Sequence, residues 1–335
     1  MQKELLKIER LSTSFRIDDH YYAAVDNVSI SLQSNEILAV VGESGSGKSA
    51  LAFSIMGLHT RAKLNGDIHF NGENLVGLST VKYNKMRGKD MGMIFQDPLS
   101  ALNPLMQIGT QIEEAILLHN SEFSKSNRTN RVIELLEKVG IPKPQIVCNQ
   151  YPHELSGGMR QRVIIAIAMA NDPKLLIADE PTTALDVTIQ LQILDLIKKL
   201  KNDSKAGVIL ITHDLGVVAE MADRVAVMYA GEIVEIADVN TLFTKALHPY
   251  TRSLLHSIPS ANEVKSKLHV IQGMVPSLKH LPREGCRFRS RIPWINESAH
   301  ESDPILHEVA PGHWVRCTCY KQFHFPGNDR GGSQK

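Results

Sequence analysis

The chain has 335 residues, enough to bury a large core in one large domain or two smaller ones. Its 37 lysines and arginines nearly balance its 36 acidic residues, which leaves neither the basic footprint of a nucleic-acid binder nor a polybasic membrane anchor. No apolar run reaches the length of a membrane span, the charged segment Met1 to Arg10 is not a signal core, and four cysteines, three of them after residue 285, do not make a disulfide framework, so a cytoplasmic location is expected.

Residues 5–11 and 25–32 alternate apolar and polar side chains as the strands of a small antiparallel hairpin do, with the connection expected at Arg16 to Tyr22. Ser34-Asn35-Glu36 turns the chain into an apolar strand, Ile37 to Val41, with Asn35 able to take the left-handed conformation that such a turn needs. Then comes Gly42-Glu43-Ser44-Gly45-Ser46-Gly47-Lys48-Ser49, opening a helical stretch from Lys48 to Met56. Strand, glycine loop and helix in this order form a phosphate loop, whose backbone N–H groups and helix N-terminus cradle phosphate oxygens. The loop and the adjoining Ala50 are expected to bind a nucleoside triphosphate, with Lys48 reaching the β- and γ-phosphates and Ser49 ligating Mg²⁺. A flexible glycine turn with an incidental lysine fits the flanking strand and helix poorly.

Strands are expected at 67–70, turning at Asn71-Gly72, and at 91–95. From about residue 98 to 170 the periodicity is helical, clearest in 111–118 and 131–140, with the polar stretch 120–130 expected as a mobile turn. Leu155-Ser156-Gly157-Gly158-Met159-Arg160-Gln161-Arg162 opens an apolar helix reaching about Asn171. Glycines at a helix start expose N–H groups and Ser156 adds a hydroxyl, a second phosphate-binding edge. Taken alone, a Ser-capped helix with glycines for close packing explains these residues better. Beside a phosphate loop, one nucleotide has little use for two such edges from one chain, so this edge is expected to serve a nucleotide held by another subunit.

The strand at 174–178 ends in Asp179-Glu180. Neighbouring strand residues face opposite ways, so Asp179 is expected to hold Mg²⁺ through water while Glu180 polarises the water that attacks the γ-phosphate. An acidic turn after a buried strand is the plain alternative, which the upstream loop disfavours. A helix over 188–201 leads to a strand at 208–212, a parallel crossover, and a strand at 225–229 follows. Beyond Pro249 the pattern loosens into a tail in which proline, arginine, histidine and cysteine interleave from Pro276 onward.

The phosphate loop, the Leu155-Ser156-Gly157-Gly158 signature, Asp179-Glu180, Ala184-Leu185-Asp186 and Thr212-His213-Asp214 occur in the order and spacing of an ABC-type ATPase, which the chain resembles over roughly residues 5–250. The resemblance implies an α/β fold: a RecA-like phosphate-loop ATPase core with an antiparallel β subdomain and a helical subdomain at about 98–170, together 1–250, then a small C-terminal tail, 251–335. It implies a head-to-tail dimer sandwiching two ATP molecules, in which Ser156, Gly157, Gly158 and Asp186 serve the opposite subunit. It matches Gln96 to a contact with Mg²⁺ and the attacking water, and His213 to a switch on the γ-phosphate. Adenine is expected to stack on an aromatic upstream of the loop, Phe15 first and Tyr22 in reserve.

Phe95-Gln96-Asp97-Pro98-Leu99-Ser100-Ala101-Leu102-Asn103-Pro104, Tyr151-Pro152-His153-Glu154 and His248-Pro249-Tyr250-Thr251 resemble the oligopeptide and dipeptide branch of bacterial importers, its D-type ATP-binding subunits in particular. This implies an ATPase peripheral on the cytoplasmic face of the cell membrane, partnered by a homologous second ATPase in a heterodimer, two membrane permease subunits and an extracytoplasmic peptide-binding protein, with no nucleic acid. Nickel and other small-solute importers share the branch. A soluble ABC ATPase of translation or repair fits less well, since a paired ATPase unit or a long coiled-coil insertion is missing.

Many relatives in this branch carry four tail cysteines fit for an iron–sulfur cluster. Here Cys286 and Cys317 match the first and last, while Ile292 and Ala299 fall where the middle two would be. Cys319 adds a third thiol, and Cys148 or His313 would have to complete a site. The expectation is a tail without a cluster or other metal, held by packing of Phe288, Trp294 and Trp314.

Overall fold

A computed structural model describes residues 3–183, 185–257, 271 and 273–326. The chain begins with two long strands, β1 (Glu4–Ile17) and β2 (His20–Gln33), followed by β3 (Ile37–Val41), α1 (Lys48–Ile55), β4 (Ala62–Phe70) and β5 (Glu73–Asn74). Strands β2, β1, β4 and β5 pair in that order as an antiparallel sheet. Leu6, Ile8 and Leu11 from β1 and Val25, Val28 and Leu32 from β2 are buried in a core that also takes Leu51 and Ile55 from α1. The expected connection at Arg16 to Tyr22 is in fact a two-residue turn at Asp18-Asp19, with Ile17 paired to His20 and Phe15 to Tyr22. The strands outrun the apolar alternation because register shifts interrupt it around Arg10 and Asn27, both at φ 49°. Asn35 turns the chain into β3 with φ 62°, in the left-handed region.

Next come α2 (Thr80–Met86), β6 (Met91–Ile94), α3 (Pro98–Ala101), α4 (Ile108–Leu117), α5 (Lys125–Lys138), α6 (Pro144–Val147) and α7 (Gly157–Ala168). Ile108, Ile112 and Ile116, spaced by four, turn one face of α4 into a core shared with Val132, Leu135 and Leu136 of α5 and Val163 of α7. The stretch 120–130 is only partly a turn. Ser124 accepts a hydrogen bond from the Asn127 N–H at 3.2 Å and so caps α5, which starts at Lys125.

The remaining elements are β7 (Leu175–Asp179), α8 (Val187–Ser204), β8 (Gly207–Thr212), α9 (Leu215–Met221), β9 (Arg224–Tyr229), β10 (Glu232–Asp238), α10 (Val239–Lys245), α11 (Pro249–His256), β11 (Leu306–Ala310) and β12 (His313–Arg316). They complete a central sheet ordered β11-β12-β10-β9-β3-β8-β7-β6. Neighbours from β9 to β6 run parallel, whereas β9, β10, β12 and β11 pair antiparallel. Every residue of β3, β7 and β8 is buried. Leu176, Ala178, Val208 and Leu210 enter the helical core, while Leu175, Ile177, Ile209 and Ile211 enter the core under the antiparallel sheet. Burial on both faces makes these strands read as unbroken apolar runs.

The parallel arrangement brings the C-terminal ends of β3, β6, β7 and β8 to one edge of the sheet, where open α/β sheets place ligands. At the opposite flank the tail hairpin of β11 and β12 extends the same sheet through β10, pairing Val315 with Glu235 and Trp314 with Ile236. Phe288 is buried and Trp294 packs against the tail core, but Trp314 is 36% exposed and so does not act as the expected packing residue. Its place in a strand turns its side chain away from that core.

Candidate nucleotide site

From β3 the chain enters the loop Gly42 to Ser49 in the middle of the parallel edge. Gly45 and Gly47 hold φ values of 79° and 105°, and a Cβ at Gly47 would collide with the Ala24 carbonyl, so only glycine fits there. Ser44 and Gly45 are exposed at the crest, while Ser46 is buried and its carbonyl accepts from the Gly231 N–H at 2.8 Å. The Lys48 ammonium donates to the Gly42 and Glu43 carbonyls at 2.8 and 2.9 Å and sits 3.4 Å from Ser46 Oγ. Burial pushes it below the ordinary lysine range, and the nearby charges of Glu180, Asp179 and Glu43 oppose that shift.

Burial raises the Asp179 carboxyl above the usual carboxylate range, and the neighbouring Ser49 hydroxyl draws it back. Asp179 Oδ1 is buried without a hydrogen-bond partner among the described residues. An orphaned carboxylate oxygen beside a serine hydroxyl is a donor set that suits a hard cation such as Mg²⁺.

Glu180 stands just past β7 with φ 47°, a left-handed value that is costly for a side chain bearing a Cβ. Its N–H donates to the Ile211 carbonyl at 2.9 Å, which fixes the turn against β8. The Glu180 carboxylate collects three side chains: Gln96 Nε2 at 2.9 Å and Thr183 Oγ1 at 2.9 Å on Oε2, and His213 Nδ1 at 3.2 Å on Oε1. Gln96 follows β6 and His213 follows β8, so residues from three strand ends meet at one carboxylate. Thr183 is not evident from the sequence. The only hint is a hydroxyl three residues after the acid in Glu180-Pro181-Thr182-Thr183.

The signature residues lie elsewhere on the chain's surface. Ser156 caps α7, accepting from the Met159 N–H at 3.3 Å, and Ser156 and Gly157 are exposed. A Cβ at Gly157 would touch Leu185, and one at Gly158 would press into Ile189 at 2.8 Å, so both glycines lie against the start of α8. Asp186 caps that helix by accepting from the Ile189 N–H at 3.0 Å, and it is exposed beside Val187 and Leu191, which are 73% and 47% exposed. Ala184 lies outside the described residues. Phe15 makes an edge contact with His59, whose Nε2 lies 3.0 Å from the Ala50 carbonyl, which links this strand to α1. Tyr22, the reserve aromatic, is its cross-strand partner.

Glu43 departs from the loop's other residues. Its N–H donates to the Tyr250 hydroxyl at 2.7 Å, and its carboxylate takes Arg291 Nη1 at 2.9 and 3.0 Å. Arg291 also donates from Nη2 to the Ile271 and Gly273 carbonyls. The tail thus holds the phosphate loop by one largely buried ion pair, in which Arg291 is 5% and Glu43 26% exposed. Arg291→Met strands that carboxylate and is expected to cost about 3 kcal/mol, with most of the loss recovered in the double variant Arg291→Met, Glu43→Leu. Urea unfolding of the full chain measures both. An unchanged midpoint in the single variant contradicts this clamp.

Neither of the two residues that would have to complete a tail site joins the tail cysteines. Cys148 lies at the end of α6 with its thiol on the Gln145 carbonyl, and His313 is bound to Glu235 at 2.8 Å, so neither completes a site. Ile292 and Ala299 are buried in the tail core. The residue that joins Cys286, Cys317 and Cys319 is His300, next to Ala299 in the chain.

The phosphate loop, an acidic strand end and a second helix that opens on glycines at an exposed face define an ATP-binding cassette, and the chain belongs to the ABC transporter family of ATPases. The "ABC transporter" family model matches residues 25–183, and the model "Oligopeptide/dipeptide transporter, C-terminal region" matches residues 234–295. The chain is 51% identical over 336 residues to the oligopeptide transport ATP-binding protein OppD of Lactococcus lactis subsp. cremoris (strain SK11), with 99% of each chain covered. It is 47% identical to OppD of Mycobacterium tuberculosis (strain ATCC 25618 / H37Rv), matching 93% of this chain and 51% of that one. In structure it is similar to the ATP-binding cassette MJ0796, solved as a dimer in a post-hydrolysis state bound to ADP and Pi, with a TM-score of 0.63 and 28% identity over 70% of this chain and 99% of the other.

Proposed function

We propose that this chain hydrolyses ATP to drive a bacterial oligopeptide importer, with Glu180 polarising the attacking water. The supporting observation is the meeting of Gln96, His213 and Thr183 on the Glu180 carboxylate beside Lys48, Ser49 and Asp179. Loop N–H groups from Gly42 to Ala50 bind the phosphates, Lys48 exchanges its loop carbonyls for β- and γ-phosphate oxygens, and Phe15 stacks on adenine. Ser49, Asp179 and Gln96 would hold Mg²⁺, which neutralises charge on the transferring phosphoryl group. Glu180 takes the proton of the water as it attacks, while His213 holds the γ-phosphate and, through its bond to Glu180, reports its presence.

Ser156, Gly157, Gly158 and Asp186 act on the ATP of a homologous second ATPase, in a heterodimer whose contact includes Val187 and Leu191. Permeases dock on the helical subdomain between residues 99 and 109, where Leu105 is 85% exposed on a turn fixed by Gln111 to the Asn103 and Met106 carbonyls. No helix among the described residues is long and apolar enough to cross a membrane, so this reading seats the chain on the cytoplasmic face against those permeases, with a binding protein delivering peptide from outside.

Since a partner completes each site, the purified subunit alone should hydrolyse ATP slowly, and adding the homologous ATPase and permeases should raise turnover at least ~10-fold. Steady-state phosphate release across a range of subunit concentrations makes the comparison. Full activity independent of concentration would refute the composite site. Mass spectrometry of solute co-purifying with the binding protein then decides between peptide and another small solute.

A further inference from the structure

Three irregular segments of the tail converge on one buried point. Cys286 follows the turn at Gly285, His300 follows a single 3-10 turn over Glu297–Ala299, and Cys317 and Cys319 flank the start of another over Thr318–Lys321. Their donor atoms all lie within 4.8 Å of one another. The three thiols are buried and free of disulfides. Both ring nitrogens of His300 are buried with no hydrogen-bond partner among the described residues. Cys317 has φ 65° and ψ 144°, a conformation unfavourable for any residue but glycine, and it is here that the chain turns two sulfurs toward the same place. The Glu301 N–H donates to Cys317 Sγ at 3.5 Å.

These donors do not suit the iron–sulfur cluster implied by the wider resemblance. A four-iron cluster takes four thiolates and holds its ligand atoms farther apart than a single ion does, because a cube of iron and sulfide stands between them. A single tetrahedral zinc, with Zn–S of about 2.3 Å and Zn–N of about 2.0 Å, needs donors about 3.5–3.8 Å apart and accepts three cysteines and a histidine. Three sulfurs and one imidazole also favour zinc over ferrous iron in the ordinary affinity series.

We infer that Cys286, His300, Cys317 and Cys319 bind one zinc ion that staples the tail together. Zinc would displace the thiol protons on binding. The staple has work to do. Two short strands are the only regular strands or α-helices among the described tail residues after 271, and Arg287 and Arg291, which grip Asp26 and Glu43, sit between the first two ligands.

The full chain, purified anaerobically from medium containing zinc and iron, should hold about one zinc and less than ~0.1 iron per chain by elemental analysis. Cobalt exchanged into it should show the visible absorption of a tetrahedral thiolate site. Competition with a chromophoric chelator should show zinc bound at least ~100-fold more weakly in His300→Ala. His300→Cys should keep one zinc, which separates loss of a ligand from loss of folding. About four irons with matching sulfide per chain, no bound metal after incubation with zinc sulfate, or zinc affinity unchanged in His300→Ala would each overturn the assignment. Because zinc content is read without ATP, these outcomes are independent of the hydrolytic reading.

Discussion

Glu180→Gln should slow ATP hydrolysis at least ~100-fold while leaving MgATP binding close to that of the unchanged chain. The substitution keeps size and the left-handed backbone of φ 47°, along with the N–H bond to Ile211, so the turn after β7 should persist. What it removes is the basic carboxylate toward which Gln96, Thr183 and His213 all point. A glutamine amide presents one acceptor oxygen and one donor nitrogen. It therefore satisfies only part of this ring and cannot take a proton from water. Single-turnover phosphate release and nucleotide affinity, measured in the assembled complex, separate the two effects. Turnover within a few-fold of the unchanged protein would remove Glu180 from the role of base.

Lys48→Ala is expected to act earlier, on binding itself. The ammonium lies in the mouth of the loop on two backbone carbonyls, and its buried charge is supported by Glu180, Asp179 and Glu43. Phosphate oxygens offer it better partners than carbonyls, and a hydrogen bond to a charged group contributes about 1.5–3 kcal/mol, so its loss should weaken ATP binding ~10- to ~150-fold. Alanine also removes the positive charge that Lys48 places near Asp179 and Glu180. Equilibrium titration with a fluorescent ATP analogue measures this, and affinity within twofold of the unchanged chain would contradict the placement of Lys48 on phosphate.

The parts of this arrangement that are plain in the sequence are those where backbone chemistry dictates residue type. Gly47 must be glycine because a side chain would strike Ala24, and β3, β7 and β8 must be apolar throughout because both of their faces are covered. Features that depend on distant packing are not legible. Bulges at Arg10 and Asn27 break the alternation of β1 and β2 and hide their true length. Strands β11 and β12 are too short for a pattern and exist because β10 offers them an edge. His300 escapes a comparison that looks for cysteine at position 299, although it lies one residue on. The Arg291 clamp on Glu43 spans 248 residues, beyond the reach of any local signal.

That same clamp sets an order of events during synthesis. At ~5–20 residues per second, Glu43 leaves the ribosome roughly 12–50 s before Arg291 does, given the 248 positions between them. Strand β10 likewise waits for β12, and buried Glu235 waits for His313. A nascent chain that has finished its phosphate loop, its parallel strands and Glu180 still lacks the ion pair on that loop, which is fastened from the far end of the message. Only near release from the ribosome, well after the ATP-binding motifs have emerged, can the loop and β10 gain these tail contacts.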